Sequence, residues 1–118
     1  MTTEFNTISR DDLAERIQRE SPDNDDRQRG FALVNVLAPQ SFVQSHIPGS
    51  INIPQGQEDL FEQRFDKGKE IIVYCASFDC SASPKAATEL ARRGFTDVYD
   101  YEGGMQDWQE RSAPPPAA

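Results

Sequence analysis

Cys75 and Cys80 stand five positions apart in one run of small and polar residues, Cys75-Ala76-Ser77-Phe78-Asp79-Cys80-Ser81-Ala82-Ser83. They are the only two cysteines of the chain. A pair this close does not staple a small secreted fold, so the spacing points to free thiols with a nucleophilic or redox role. A small-residue loop ahead of a helix turns its N–H groups inward, and the helix dipole adds positive potential. Both favour a thiolate at Cys75. The bland alternative for Cys75 is a buried, inert cysteine at a strand end. Cys80 reads either as loop filler or as a resolving thiol that attacks an oxidised or sulfur-loaded Cys75 and leaves a disulfide. The second reading needs Cα atoms within about 7 Å, which a curled loop supplies. Two thiolates and one distant histidine, His46, fall short of the four ligands of a structural zinc, so no metal and no organic cofactor is expected.

The flanking elements must hold this loop. Residues 70–74 form the clearest strand, with Ile71, Ile72 and Val73 as a β-branched run. After the loop, Ser83 is placed as an N-cap and Pro84 as the first helical residue. Ala86, Ala87 and Leu90 make that helix's apolar stripe, and Gly94 ends it after Arg92 and Arg93. Upstream, residues 5–8 suit a strand, and Ser9 caps a helix running to Arg19 with Leu13 and Ile17 on one face. Residues 20–30 read as a charged surface loop. Residues 31–36 form an apolar strand, 39–43 a short helix, 46–50 a turn, 51–53 a short strand and 60–65 a helix. Downstream come a strand at 96–101, a turn at Gly103-Gly104 and a short helix at 105–110 carrying Trp108. Alternation of strands and helices predicts one α/β domain over residues 1–111, with a largely parallel sheet covered by helices on both faces. In such sheets sites form at the carboxyl ends of strands, which is where Cys75 falls. The Pro- and Ala-rich residues 112–118 predict a disordered tail.

Composition narrows the partners. The chain has 118 residues, a net charge of −8 and a pI near 4.5. Nucleic acid and anionic membranes both require a basic footprint, so neither is expected. The first residues carry no basic, apolar leader pattern, and no run approaches the ~20 apolar residues that span a bilayer. The expected setting is the cytoplasm.

Taken in order, the segments Leu33-Val34-Asn35-Val36, His46-Ile47-Pro48-Gly49-Ser50-Ile51-Asn52-Ile53-Pro54, Ile71-Ile72-Val73-Tyr74-Cys75, Ala86-Ala87 with Leu90, Gly94-Phe95, and Gly103-Gly104 with Trp108 resemble the rhodanese family. The resemblance covers most of the chain from Phe31 to Trp108. It implies a rhodanese-like, single-domain sulfurtransferase fold in which Cys75 carries a persulfide between a sulfur donor and an acceptor. It also implies a structural His46. Three departures stand out. Asn35-Val36-Leu37 replaces the family's frequent Asp-Val-Arg. The loop is about two residues longer than the family's, judged from Ala86-Ala87. No arginine or lysine lies between Cys75 and Pro84. Counted from the cysteine, Cys80 takes the arginine's place; counted back from the helix, Ala82 does.

Three functions follow as expectations. The first is sulfur transfer through a Cys75 persulfide, poor with thiosulfate because that dianion meets Asp79 and no loop cation. The second is a redox or sulfur-relay module using the Cys75/Cys80 pair. The third is a non-catalytic binding domain on the same fold. A phosphatase is disfavoured, since Ser81 sits where a phosphate-holding arginine is needed. The expected partners are a small sulfur donor or acceptor, or a thiol-bearing protein.

Overall fold

A computed structural model describes residues 5–20, 22 and 30–112. Among these residues five strands and five helices alternate: β1 (Asn6–Thr7), α1 (Arg10–Arg19), β2 (Phe31–Asn35), α2 (Pro39–Gln44), β3 (Ile51–Asn52), α3 (Asp59–Arg64), β4 (Glu70–Tyr74), α4 (Ala82–Arg92), β5 (Val98–Tyr101) and α5 (Gly104–Ser112). The sheet order is β1-β5-β4-β2-β3, and every pairing is parallel. Parallel strands are buried on both faces, which is why β2 and β4 read as unbroken apolar runs rather than as alternation.

The two faces are separate cores. One holds Ala32, Val34, Ile71, Val73, Cys75 and Val98 under Ala86, Ala87 and Leu90 of α4, with Phe61 of α3 and Phe65 beside them. The other holds Phe31, Leu33, Ile72, Tyr74 and Tyr101 against Leu13 of α1 and Met105 of α5. Successive strand residues point to opposite faces, so Cys75 belongs to the α4 side and its neighbour Tyr74 to the α1/α5 side. The expected α/β architecture, with helices on both faces, is the one present.

Local signals place most boundaries. Ser9 Oγ accepts from the Asp12 N–H at 3.1 Å, the expected cap of α1. At Gly94, φ is +100°, the left-handed geometry for which glycine ends helices. β5 begins at Val98 rather than residue 96, α5 runs Gly104–Ser112 rather than 105–110, and the start of α4 differs most in its consequence. α4 begins at Ala82, its N-cap is Ser81, and no side chain caps it. Ser83 lies inside the first turn and is buried. Pro84 is tolerated there because the first N–H groups of a helix lack intrahelical acceptors. The surface-loop reading of residues 20–30 falls mostly outside the described residues, as does the tail reading, except that Ser112 is the last residue of α5.

Candidate functional site

Cys75 follows the last residue of β4 and is fully buried. Its sulfur is bonded to that of Cys80, which is half-buried; their Cα atoms are 6.4 Å apart. The loop between them curls through a turn in which the Cys80 N–H donates to Ser77 O at 3.1 Å. Phe78 and Asp79 form the tip and are exposed, Phe78 by 70%. Ala76 and Ser81 are also exposed, Ser77 and Ala82 half-buried.

The base of the loop is held from the other side of the sheet. The Met105 N–H donates to Cys75 O at 2.9 Å and the Gln106 N–H to Ala76 O at 2.8 Å. These are free donors of the first turn of α5, so a helix start clamps the cysteine's own peptide. Gly104 makes the approach possible. Its φ is +62°, and a Cβ there would overlap the Cys75 carbonyl and the Ala76 carbonyl carbon. The Gly103-Gly104 pair therefore sets the floor of the site.

Ser83 is turned toward the sulfur. Its Oγ lies 3.3 Å from Cys75 Sγ, and in the disulfide the hydroxyl carries the single hydrogen of that contact. Asp100 stands on the same face of β5 as Val98, under α4, with no solvent exposure. Burial raises its pKa to about 6, the Ser83 hydroxyl pulls it down, and Glu102 pushes it further up. In the disulfide form neither Asp100 oxygen closes a hydrogen bond. The sequence reading placed Ser83 in the loop as a cap and did not single out Asp100. The available signal was its position two residues from Val98 on a strand that must be interior.

The second anchor is the 46–50 turn. The Ile47 N–H donates to Tyr74 Oη at 3.0 Å, and Tyr74 Oη lies 2.8 Å from Ser50 Oγ, which itself donates to Ile47 O. His46 is exposed, stacks on Phe42 and bonds its carbonyl through Nδ1 at 2.8 Å. Both contacts tie His46 to α2. Asn35 Oδ1 accepts from the Leu37 N–H at 2.8 Å, so the amide fixes the strand's exit.

A cavity of about 330 Å³ opens beside the loop at the carboxyl edge of β1 and β5, with Ile8, Arg10, Phe78, Gly103 and Asp107 in its wall. Arg10, which the sequence reading passed over, brings a cation to this wall from the start of α1, its guanidinium 4.6 Å from the Trp108 ring centre. Asp107 accepts from Tyr101 Oη at 2.7 Å. Among the described residues no group of three or more His, Cys, Asp or Glu side chains could hold a metal ion, and no helix is long and apolar enough to cross a membrane.

The chain is 35% identical over 83 residues to the thiosulfate sulfurtransferase GlpE of Pseudomonas syringae pv. syringae, covering 70% of this chain and 76% of the relative. It is 32% identical over 83 residues to that of Pseudomonas aeruginosa, covering 70% and 74%. Among solved structures, the BH2092 protein of Bacillus halodurans superposes with a TM-score of 0.76 at 29% identity, over 92% of this chain and 74% of that one. The rhodanese-like domain of the Anabaena Alr3790 protein, at 20% identity, shares the fold with a TM-score of 0.77 over 98% and 87%. The family model of the rhodanese-like domain matches residues 9–111, and the chain belongs to that family.

Proposed function

We propose that this protein transfers sulfur through a persulfide on Cys75. The supporting observation is the position of Cys75: at the carboxyl end of the central strand β4, ahead of the α4 N-terminus, in a fold whose relatives are named sulfurtransferases. The potential of the α4 N-terminus favours the anionic terminal sulfur of a persulfide there. The setting proposed is the cytoplasm, where thiol reductants keep such a site in use. The partners are a small sulfur donor or acceptor, or a thiol-bearing protein, with no role for nucleic acid or membrane. Intact mass of the reduced protein after brief exposure to sulfur donors tests it. Cys80→Ser should gain one sulfur atom, and Cys75→Ser none. A gain that persists in Cys75→Ser, or none from any donor in Cys80→Ser, would sink the reading.

The Cys75–Cys80 bond favours a second reading, a redox or sulfur-relay module in which Cys80 releases a loaded or oxidised Cys75 as a disulfide. The two readings are compatible, since the same bond would return Cys75 to a resting state between partners.

Substrate choice follows from charge. The loop offers thiosulfate no cationic side chain, and Asp79 sits at its exposed tip. Arg10 lies outside the loop, on Trp108. Asp79→Arg reverses the local charge, and a change of about 1 kcal/mol, allowing for solvent screening, corresponds to roughly fivefold. The expected result is a rise of that size in kcat/KM for thiosulfate, read as thiocyanate formed from cyanide. No rise would show that Asp79 does not govern donor choice.

A further inference from the structure

The Asp100 carboxyl is the feature that sulfur transfer leaves unexplained. A carboxyl group with no solvent exposure is ordinarily paired with a cation or saturated with hydrogen bonds. Here the Ser83 hydroxyl is the neighbouring donor that pulls the carboxyl down, yet in the disulfide form it closes a full hydrogen bond to neither oxygen. The groups around it come from four elements. Ser83 faces it from α4, Val73 and Thr7 are its strand neighbours on β4 and β1, and Glu102 follows it at the end of β5. Glu102 is the charged side chain that acts on it, and it disfavours ionisation. Ser83 is also the residue whose Oγ stands 3.3 Å from Cys75 Sγ.

We propose that Cys75 and Asp100, bridged by Ser83, form a coupled thiol–carboxyl pair that holds one negative charge between them. Two anions on either side of one buried hydroxyl repel each other, so the protons leave in two separated steps that belong to the pair. Asp100 is then a positioning residue that takes the Cys75 proton when the sulfur attacks and returns it when the sulfur leaves, as acid and base roles reverse with the direction of reaction.

Resting on the sulfur-transfer reading, the step balances as follows. Cys75 Sγ attacks the outer sulfur of a persulfide donor R–S–SH. A new S–S bond forms on Cys75, and the donor's S–S bond breaks. R–S⁻ leaves with the electron pair and takes a proton from solvent. The donor is reduced to a thiol, and Cys75 is oxidised to a persulfide by the same two electrons. The Cys75 proton moves to Ser83 Oγ as the Ser83 proton moves to Asp100. When an acceptor thiolate removes the outer sulfur, Cys75 departs with the electron pair and the proton returns along the same path.

The test needs no sulfur transfer, so its failure and that of the functional reading are separable. Carbon NMR titration follows the Asp100 carboxyl in oxidised and in reduced wild type. In the oxidised form Cys75 cannot titrate, and a single step near pH 6 is expected. In the reduced form two steps should appear, the second above the ordinary thiol range of about 8.5. The same two steps should shape the rate of Cys75 alkylation in Cys80→Ser, and Asp100→Asn in that background should reduce them to one. An identical single step in oxidised and reduced wild type overturns the proposal without any variant. So does an alkylation profile that Asp100→Asn leaves unchanged.

Discussion

Gly104→Ala is expected to lose about 4 kcal/mol of stability, on the order of 15 °C in Tm, and most of the reactivity of Cys75. Two costs add. A non-glycine residue at a φ of +62° costs roughly 1–2 kcal/mol in itself. The new methyl group also meets backbone, the carbonyl of Cys75 and the peptide beyond it, which cannot swing aside as a flexible side chain would. Relief requires moving α5 away, which breaks the bonds from the Met105 and Gln106 N–H groups to Cys75 O and Ala76 O. Gly56→Ala is the control. Its φ is +100°, but a Cβ there meets nothing within 4 Å. It carries the conformational cost alone and should lose about 1 kcal/mol. Thermal melts of both variants, with iodoacetamide rates at Cys75, separate the effects. Equal losses in the two would show that the close approach at Gly104 carries no energy of its own.

The second large effect has the opposite sign. Burial raises the Asp100 pKa to about 6, against about 3.9 for a free aspartate. Below pH ~4 both folded and unfolded chains hold this proton, and the residue costs nothing. Between ~4 and 6 the folded chain holds more protons than the unfolded one, so stability falls as pH rises. Above 6 the full penalty is present, about 3 kcal/mol for a rise of about two units. Asp100→Asn cannot ionise. It should stabilise the oxidised protein by about 2 kcal/mol at pH ~8, some of the gain being lost to the amide's own unmet hydrogen bonds. Near pH 4 the gain should vanish. Urea unfolding at the two pH values decides it, and a gain equal at both would mean that ionisation is not the cause.

Such a penalty on a site-facing residue suits a group kept for chemistry rather than for stability. It also explains why this part of the site was hard to see. The β4 strand, its cysteine and the following helix were legible because the Ile71-Ile72-Val73 run and the Ala86, Ala87, Leu90 stripe are local patterns with one structural meaning each. Ser9 was legible as a cap for the same reason. Ser83 carried an equally good local signal, serine before proline, yet its hydroxyl faces a sulfur eight positions away in sequence while Ser81 takes the cap position. Asp100 lies between two tyrosines in a four-residue strand, where an acid normally marks a solvated face. Only the strand order, with β5 enclosed between β1 and β4, puts that face under α4. Gly104 could be read as a turn residue, but the carbonyl that requires it belongs to Cys75, just past the end of a strand far upstream.

The strand order also bears on how the chain is made. Among the described residues β1 has a single neighbour, β5, and the paired residues, Asn6 with Tyr99 and Thr7 with Asp100, are about ninety positions apart. A ribosome emits β1 first and must finish nearly the whole domain before its partner appears. Until then Leu13 of α1 lacks Tyr101 and Met105, the residues that later help to bury it. Closing so long a loop is entropically costly and comes late, so β1 stays unpaired and the apolar face of α1 incompletely covered through most of the domain's synthesis. The same final pairing that seals this face also fixes the backbone of Asp100, so β1 is docked and the site assembled in one late event of biosynthesis.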